Sequence, residues 1–190
     1  MKSVLISIQP RWCEMIAAGR KTVEVRKTVP KLELPFKCYI YCTNKKPFLV
    51  WGDVFRGNWE TEVTHLSGWS REAAEKIWDI LNGKVIGEFV CNFVDIYEFD
   101  WCDHPELGIS GDGGDNWYCI DDEDLKKTCI PEYEFYAYGN REDLYGWHIS
   151  DLVIYDDPKP LSDFHHCGVN YHFNPPITRP PQSWCYVEEE

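Results

Sequence analysis

The pattern of apolar and polar residues at the start of the chain predicts a strand followed by a helix. Residues 4–8 form a short, mostly β-branched apolar run that predicts a strand. Pro10 is well placed in the first turn of a helix. The apolar positions that follow it at i, i+3 and i+4 spacing predict one buried helical face, formed by Trp12, Met15 and Ile16. Gly19 stands where a left-handed C-terminal cap belongs, so the chain opens with a strand, a helix and a glycine stop.

The residues after Lys21 change to the two-residue period of a strand. Val23 and Val25 point to one face of this strand. The polar side chains point to the opposite face, and they are Thr22, Glu24 and Arg26. The motif strand is therefore predicted to show one apolar and one charged surface.

Three later stretches predict further strands, at residues 38–43, 84–97 and 147–155. Gly87 lies inside the second of them and predicts a bend. The acidic and proline-containing residues 156–160 are predicted to end regular structure after the third.

Two further helices are predicted. Ser70 is a typical N-cap for a helix over residues 70–81, whose apolar positions form a stripe. Residues 131–138 predict a short helix closed by Gly139. Residues 44–69 lack a clear period and are predicted to be a loop. Short strands, few helices and many turn residues together predict an α+β barrel.

The charge is distributed unevenly along the chain. The net charge of −13 combines a positive segment and a strongly negative remainder. Residues 1–50 hold 10 basic and 3 acidic residues, a net +7, whereas residues 51–190 hold 9 and 29, a net −20. A long duplex would be repelled by most of the surface, because tight duplex binding neutralises many phosphates. A short single-stranded RNA, a nucleotide or a nucleoside is the expected partner.

The compartment is predicted from the apolar segments and the cysteines. No stretch approaches the length of a membrane span, and the N-terminal apolar run is too short for a signal peptide. The nine cysteines are odd in number and form no Cys-x-x-Cys pair. Free thiols in a reducing cytoplasm are therefore expected, with no membrane partner.

The most informative motif is Gly19-x-Lys21-x-x-Glu24-x-Arg26. Glu24 and Arg26 share a strand face with their Cα atoms about 7 Å apart, so both can contact one small ligand. Arg26 offers a planar fork for a phosphate or carboxylate, and Lys21 a mobile point charge. The alternative from spacing alone is a solvated edge strand with an ordinary ion pair.

This motif, after a short N-terminal helix, resembles the signature of the ASCH family, the activating-signal-cointegrator homology domain. The resemblance extends to several blocks, at residues 8–12, 39–43, 85–89, 145–151 and 180–187. It is closest to the longer, bacterial or prophage-encoded branch. It implies one PUA-like domain over residues 1–190, with insertions at about 44–83 and 100–140 and a proline-rich tail at about 158–190.

The resemblance implies a cleft lined by the end of the first helix and the motif strand. Members are associated with RNA binding, coregulator function, ribonuclease activity and hydrolysis of an acylated cytidine. In the small hydrolases the motif lysine works with a threonine three residues later and a distant glutamate. Lys21 matches that lysine, but Glu24 stands in the threonine position, and Glu88 is the candidate for the distant acid. The amidohydrolase interpretation is weakened accordingly.

Three function classes remain open. The leading one is RNA or nucleotide binding, and its ligand-binding set is Trp12, Lys21, Glu24, Arg26, Tyr41, Thr43, Trp147 and His148. The rings of Trp12, Tyr41 or Trp147 would stack on a base. The second is a hydrolase or ribonuclease with Lys21 and Glu24 as catalytic residues, where adjacent cations would make Glu24 a weak base. The third is an interaction module that uses the acidic loop at residues 100–124.

Neither a metal nor another cofactor is predicted. The acidic loop holds Asp and Gly residues but lacks the ligand spacing and closing Glu of an EF-hand. Metal-type side chains are concentrated in the tail, where no pair has zinc-finger spacing: His165, His166, Cys167, His172 and Cys185.

Overall fold

A computed structural model describes residues 2–53, 58–100, 117–167 and 174–188. It contains four α-helices and eleven strands within those ranges. The strands are β1 (Lys2–Ile8), β2 (Val23–Arg26), β3 (Phe36–Cys42), β4 (Phe48–Asp53), β5 (Asn58–Leu66), β6 (Lys84–Tyr97), β7 (Phe99–Asp100), β8 (Trp117–Tyr118), β9 (Leu144–Pro160), β10 (His165–His166) and β11 (Trp184–Glu188). The helices are α1 (Pro10–Ala17), α2 (Arg71–Glu75), α3 (Asp122–Thr128) and α4 (Glu132–Gly139).

The main sheet has seven strands in the order β10-β11-β1-β3-β6-β9-β2. Strands β1 and β3 run parallel, and the other neighbours are antiparallel. Two small ladders, β4 with β5 and β7 with β8, stand apart from it. The α+β class is confirmed. The described backbone ladders do not join β2 back to β10, so they do not close the sheet into a complete barrel.

The predicted N-terminal elements are confirmed. Helix α1 ends in a Schellman motif, in which Gly19 N donates to Ile16 O and Arg20 N donates to Met15 O, each at 2.9 Å. Gly19 has a φ of +67°, which explains why a glycine stands there. The motif turns the chain sharply and delivers Lys21 and β2 to the sheet edge.

The prediction for residues 44–69 was wrong, because β4 and β5 form an antiparallel hairpin there. The helix predicted over residues 70–81 was too long. Ser70 Oγ does accept a hydrogen bond from Ala73 N at 3.2 Å, but α2 ends at Glu75. Strand β9 also continues through residues 156–160, where regular structure was predicted to end, and Lys84 pairs with Pro160.

Other predictions agree with the structure. Strand β6 has the predicted bounds, and its pairing with β9 shifts register next to Gly87. A Cβ at Gly87 would lie 2.4 Å from Val153 O, so the close strand approach requires a glycine there. Helix α4 matches its prediction, although the residue in the left-handed conformation is Asn140 rather than Gly139.

The main sheet separates two apolar layers. Cys38, Ile40 and Cys42 point into the larger core, which α1 covers and which contains Trp147. The alternate positions Tyr39 and Tyr41 point to the opposite face. This alternation along β3 decides which candidate residues can meet.

Part of the predicted acidic loop and His172 lie outside the described residues. No helix in the described ranges is long and apolar enough to cross a membrane. Those ranges also contain no group of three side chains positioned to hold a metal ion.

Candidate functional site at the motif strand

Lys21, Glu24 and Arg26 form one charged cluster along β2 and the residues just before it. Lys21 Nζ lies 3.4 Å from Glu24 Oε2, and Arg26 Nη2 lies 2.8 Å from Glu24 Oε1. Glu24 therefore holds one cation on each carboxylate oxygen. The predicted proximity of the three charges follows from the Gly19 turn and the strand period.

The ammonium group of Lys21 is fully committed to the protein. Its Nζ donates to Val23 O at 2.9 Å and to Thr128 O at 2.6 Å, in addition to the contact with Glu24. These three acceptors use all three hydrogens of an ammonium group. Burial lowers the pKa of Lys21, and the charge of Glu24 partly opposes that effect. Lys21 ties β2 to the end of α3.

The guanidinium of Arg26 is anchored on one side only. Its Nη2 donates to Ser7 O at 2.7 Å and contacts Glu24, which fixes the group in place. Its Nη1 reaches Ser183 Oγ only at 3.4 Å, and Nε is buried without a partner among the described residues. Since Ser7 belongs to β1, the Arg26 side chain spans the opening between β1 and the edge strand β2.

The open charged strand face considered from the sequence is not what the structure shows. All four residues of β2 are buried, and Lys21, Glu24 and Arg26 are only 1%, 5% and 8% exposed. Strand β9 pairs with β2 on one side, and Thr22 N donates to Lys127 O of α3. This tertiary covering cannot be inferred from the strand period.

Partly exposed residues form the rim of the cluster. Lys21 Nζ lies 5.2 Å from the centre of the Trp12 ring, and Arg11 stacks on the same ring at 4.1 Å. Tyr138 of α4 is 40% exposed, and its raised pKa results mainly from burial, with smaller effects from Arg26 and Glu24. Ser183 completes the rim through its contact with Arg26.

Trp147 lies on the same strand face as Glu24, because the two residues are direct partners in the β2–β9 ladder. Its ring is 0% exposed and packs edge-on against Phe36 at 5.6 Å. The predicted stacking role is therefore blocked in this conformation. Its indole Nε1, however, is buried without a partner among the described residues.

The other predicted residues lie elsewhere. His148 pairs with Val23 on the opposite face from Glu24 and contacts Asp95 Oδ2 at 2.6 Å, which contradicts a position in the cleft. Tyr41 points away from the cluster and lines a separate cavity. Thr43 lies just after the end of β3, two residues from Tyr41. Its Oγ1 is buried without a partner in the described ranges.

Glu88 is also excluded from the cluster. It pairs directly with Tyr39, on the face opposite the larger core. Its carboxylate is used by Lys37 at 3.2 Å and by the hydroxyl of Tyr155. The thiols of Cys13 and Cys38 lie near the cluster, and their pKa values are raised mainly by burial.

The fold has solved counterparts. An ASCH protein from Zymomonas mobilis matches over 98% of this chain and 88% of its own, with a TM-score of 0.52 and 15% sequence identity. The chain has an ASCH-like fold. A serine-to-alanine and a tyrosine-to-phenylalanine variant of that protein also match, each with a TM-score of 0.52 and 16% identity. A scan against protein-family models and a search of curated proteins give no match.

Within this ASCH-like fold the cluster offers donors that have no partner among the described residues. The described contacts occupy both Glu24 oxygens and all three Lys21 hydrogens. The Nε and Nη1 groups of Arg26 and the indole of Trp147 are left to bind an acceptor. Such a site suits a carbonyl or phosphate oxygen better than a cation.

Proposed function

We propose that this chain is a nucleotide- or RNA-binding protein that recognises one nucleotide at the rim of the Lys21–Glu24–Arg26 cluster. The observation that carries the proposal is the one-sided anchoring of Arg26. Its Nη2 is fixed by Ser7 O and Glu24, whereas Nη1 has one long contact and Nε has no described partner. A guanidinium held in this way presents two donors to a ligand at little entropic cost.

The ligand chemistry follows from these donors. Arg26 and Trp147 are diagonal neighbours on one strand face, because Glu24 pairs with Trp147 and Arg26 with Tyr145. Arg26 donates to a base carbonyl or a phosphate oxygen, and its long contact with Ser183 is the one that a ligand replaces most easily. Trp12 is partly exposed and Tyr138 is 40% exposed, and a base can stack on these rings.

Lys21 and Glu24 have a positioning role in this proposal. Glu24 holds Arg26 in place, and Lys21 holds Glu24. This arrangement differs from direct phosphate binding by Lys21, because that amine has no hydrogen left to donate. The net charge of +7 on residues 1–50 beside −20 on the remainder limits contact to a short strand. We expect a salt dependence that corresponds to about two to four phosphates for a short RNA.

One observation favours a hydrolase as the second candidate. Burial lowers the pKa of Lys21, and a lysine with a lowered pKa is better suited to act as a base. The same amine, however, is enclosed by two backbone carbonyls and Glu24. A catalytic role requires those contacts to break, so binding is the better supported function.

The test measures binding of CMP, cytidine and a short single-stranded RNA to matched variants. Arg26→Lys keeps the positive charge but removes the fork, and it should weaken binding at least about tenfold. Lys27→Gln is the control, because Lys27 is a more exposed cation on the next residue, paired with Glu142 at 2.8 Å. Circular dichroism checks that each variant is folded. Equal affinity of the Arg26→Lys and wild-type proteins would contradict the proposal.

Glu24→Gln separates binding from catalysis. It removes the charge and keeps the shape, so a binding protein should retain much of its affinity. An enzyme that uses Glu24 as a base should lose at least about 100-fold of its turnover. Assays with acylated cytidine and RNA therefore compare the wild type with Glu24→Gln and with Lys21→Met, which tests the lysine as the base. Robust wild-type turnover that Glu24→Gln abolishes would favour the hydrolase.

We also expect a cytoplasmic location, because the eight cysteines within the described ranges carry free thiols. Cell fractionation with thiol labelling tests this expectation. Oxidised cysteines in an exported protein would contradict it.

A further inference from the structure

A second polar site lies on the other face of the main sheet. A cavity of about 580 Å³ lies between α2, the segment after it and the end of β3. This volume is typical of small-ligand sites. Tyr41 lines the cavity and belongs to the apolar layer opposite the one that contains Trp147. The cavity is thus separate from the Lys21–Glu24–Arg26 cluster, and the inference does not depend on the proposed function.

Arg71 is the central recognition group of this cavity. Its Nε lies 2.6 Å from Glu75 Oε1, one helical turn later, which orients the guanidinium. Its Nη1 is buried without a partner among the described residues, although the side chain as a whole is 36% exposed. An unpaired buried N–H is costly, and an acceptor from a ligand would satisfy it.

Other polar groups converge on the same point. A Cβ at Gly83 would lie 3.9 Å from Arg71 Nη2 and 4.0 Å from Asn44 Cγ, so both side chains approach this glycine. Gly83 has a φ of +87°, and its N donates to Cys42 O at 2.8 Å, which fixes the turn. The buried Tyr41 has a raised pKa, caused mainly by desolvation, and the charge of Arg71 opposes the shift. Its hydroxyl stays protonated and can donate.

The remaining lining limits the ligand. Lys84 Nζ and Asp79 Oδ1 pair at 2.5 Å at the edge of the cavity. The acidic residues at this edge disfavour binding of a polyanion. Trp78 contributes an aromatic wall, and Ile77 is 60% exposed beside it. The site therefore suits one oxyanion attached to a ring or apolar group.

We propose that Arg71, with Tyr41 and Asn44, binds the phosphate or carboxylate group of a small ring-bearing ligand in this cavity. Arginine suits either oxyanion, since its fork matches both geometries. The lining does not choose between phosphate and carboxylate. The probes below separate them.

The test follows the Arg71 Nε–H signal in ¹⁵N–¹H spectra, assigned by its loss in Arg71→Gln. Inorganic phosphate, CMP and benzoate are the oxyanion probes, and cytidine is the uncharged comparison. A saturable shift with at least one oxyanion and none with cytidine is expected. Phosphate and CMP without benzoate identify a phosphate site, and benzoate alone identifies a carboxylate site. The inference is overturned if none of the three oxyanions shifts the signal.

Variants locate the binding. Arg71→Gln should weaken the responding probe at least about tenfold in calorimetry, and Tyr41→Phe should weaken it less. Arg20→Gln is the matched control, because Arg20 is a 57% exposed arginine paired with Glu14 at 3.6 Å. Arg26→Lys should leave the Arg71 signal responsive. Equal binding by the Arg71→Gln and Arg20→Gln proteins would refute this site. CMP binding that is lost only in Arg26→Lys would assign CMP to the cluster and support the proposed function, and the Arg71 site would then be refuted if phosphate and benzoate also leave its signal unchanged.

Discussion

The Lys21–Glu24–Arg26 cluster and the Arg71 cavity each contain an arginine–glutamate ion pair, but the two pairs differ in burial. In the cluster, Arg26 and Glu24 are 8% and 5% exposed, and Arg26 also donates to the β1 backbone. In the cavity, Arg71 and Glu75 are paired on the exposed side of α2, with side chains 36% and 45% exposed. The degree of burial therefore determines how much each arginine contributes to the stability of the fold. Arg26 holds two strands together through Nη2 and leaves Nη1 and Nε for a ligand, whereas the described ion pair of Arg71 is with Glu75 of its own helix.

The energetic difference follows from desolvation. A buried ion pair lacks the water that would replace a missing partner, so removing one member leaves an uncompensated charge. An exposed pair is hydrated and contributes little to stability. Substitutions in the cluster should thus affect folding, and equivalent substitutions around the cavity should mainly affect binding.

The largest expected effect is that of Lys21→Ala. The change removes one cation from Glu24 and one donor from each of the Val23 and Thr128 carbonyls. The free energy of unfolding should fall by about 3–5 kcal/mol in urea titrations. Lys84→Ala, at the more exposed pair with Asp79, should cost about 0–1 kcal/mol. Similar losses in the two variants would remove the distinction between the regions.

Asn82→Ala tests how much a buried side chain that lines the cavity contributes to stability. The Asn82 amide is 1% exposed; it donates to Lys45 O at 2.6 Å and Pro47 O at 3.0 Å, and it accepts from Leu49 N at 2.7 Å. Its loss should cost about 2–3 kcal/mol, because several buried backbone groups lose their partner. Asn44→Ala, on the exposed residue nearby, should change stability by less than about 0.5 kcal/mol. Hydrogen exchange should accelerate around Leu49 and not in β2; acceleration in both would show that the regions are coupled.

The smallest expected effect is a pH dependence at Lys21. Its pKa lies below the ordinary value of 10.5 in the folded protein, so the unfolded chain binds more protons between the lowered pKa and 10.5. The wild type should therefore gain stability relative to Lys21→Met as pH rises through that window. Parallel urea titrations from neutral to alkaline pH measure the difference. A wild type that instead loses stability relative to the variant would show that the cluster raises the pKa.

Local patterns predicted the elements whose signals lie within a few residues. The cap at Gly19, the bounds of β6 and the bend at Gly87 follow from backbone sterics and side-chain period, and the structure confirms them. The β4–β5 hairpin was missed because its sequence shows no clean alternation, and its described ladder is separate from the main sheet. Helix α2 was predicted too long. Residues 77–81 have helical spacing, but Leu81 N donates to Leu49 O of β4 at 2.8 Å instead of to a carbonyl one turn earlier.

The candidate site was predicted in part. The sequence predicted that Lys21, Glu24 and Arg26 lie close together, and they do so in the structure. It did not indicate that β9 and α3 cover them, because that covering depends on residues more than 100 positions away. The positions of Tyr41 and His148 also depend on strand register, which one sequence does not determine. Arg71 carried no signal beyond a helical Arg–Glu spacing.

The position of β11 has a consequence for synthesis on the ribosome. Strand β1 is made long before β11, yet one of its edges pairs with β11, and Ser7 N donates to Ser183 O at 2.9 Å. The nascent chain therefore carries an unpaired apolar edge until β11 is made. Exposed edges of this kind associate with other chains. We expect deletion of residues 181–188 to produce aggregation during translation rather than a truncated soluble protein, and sedimentation of the translation products would show which occurs.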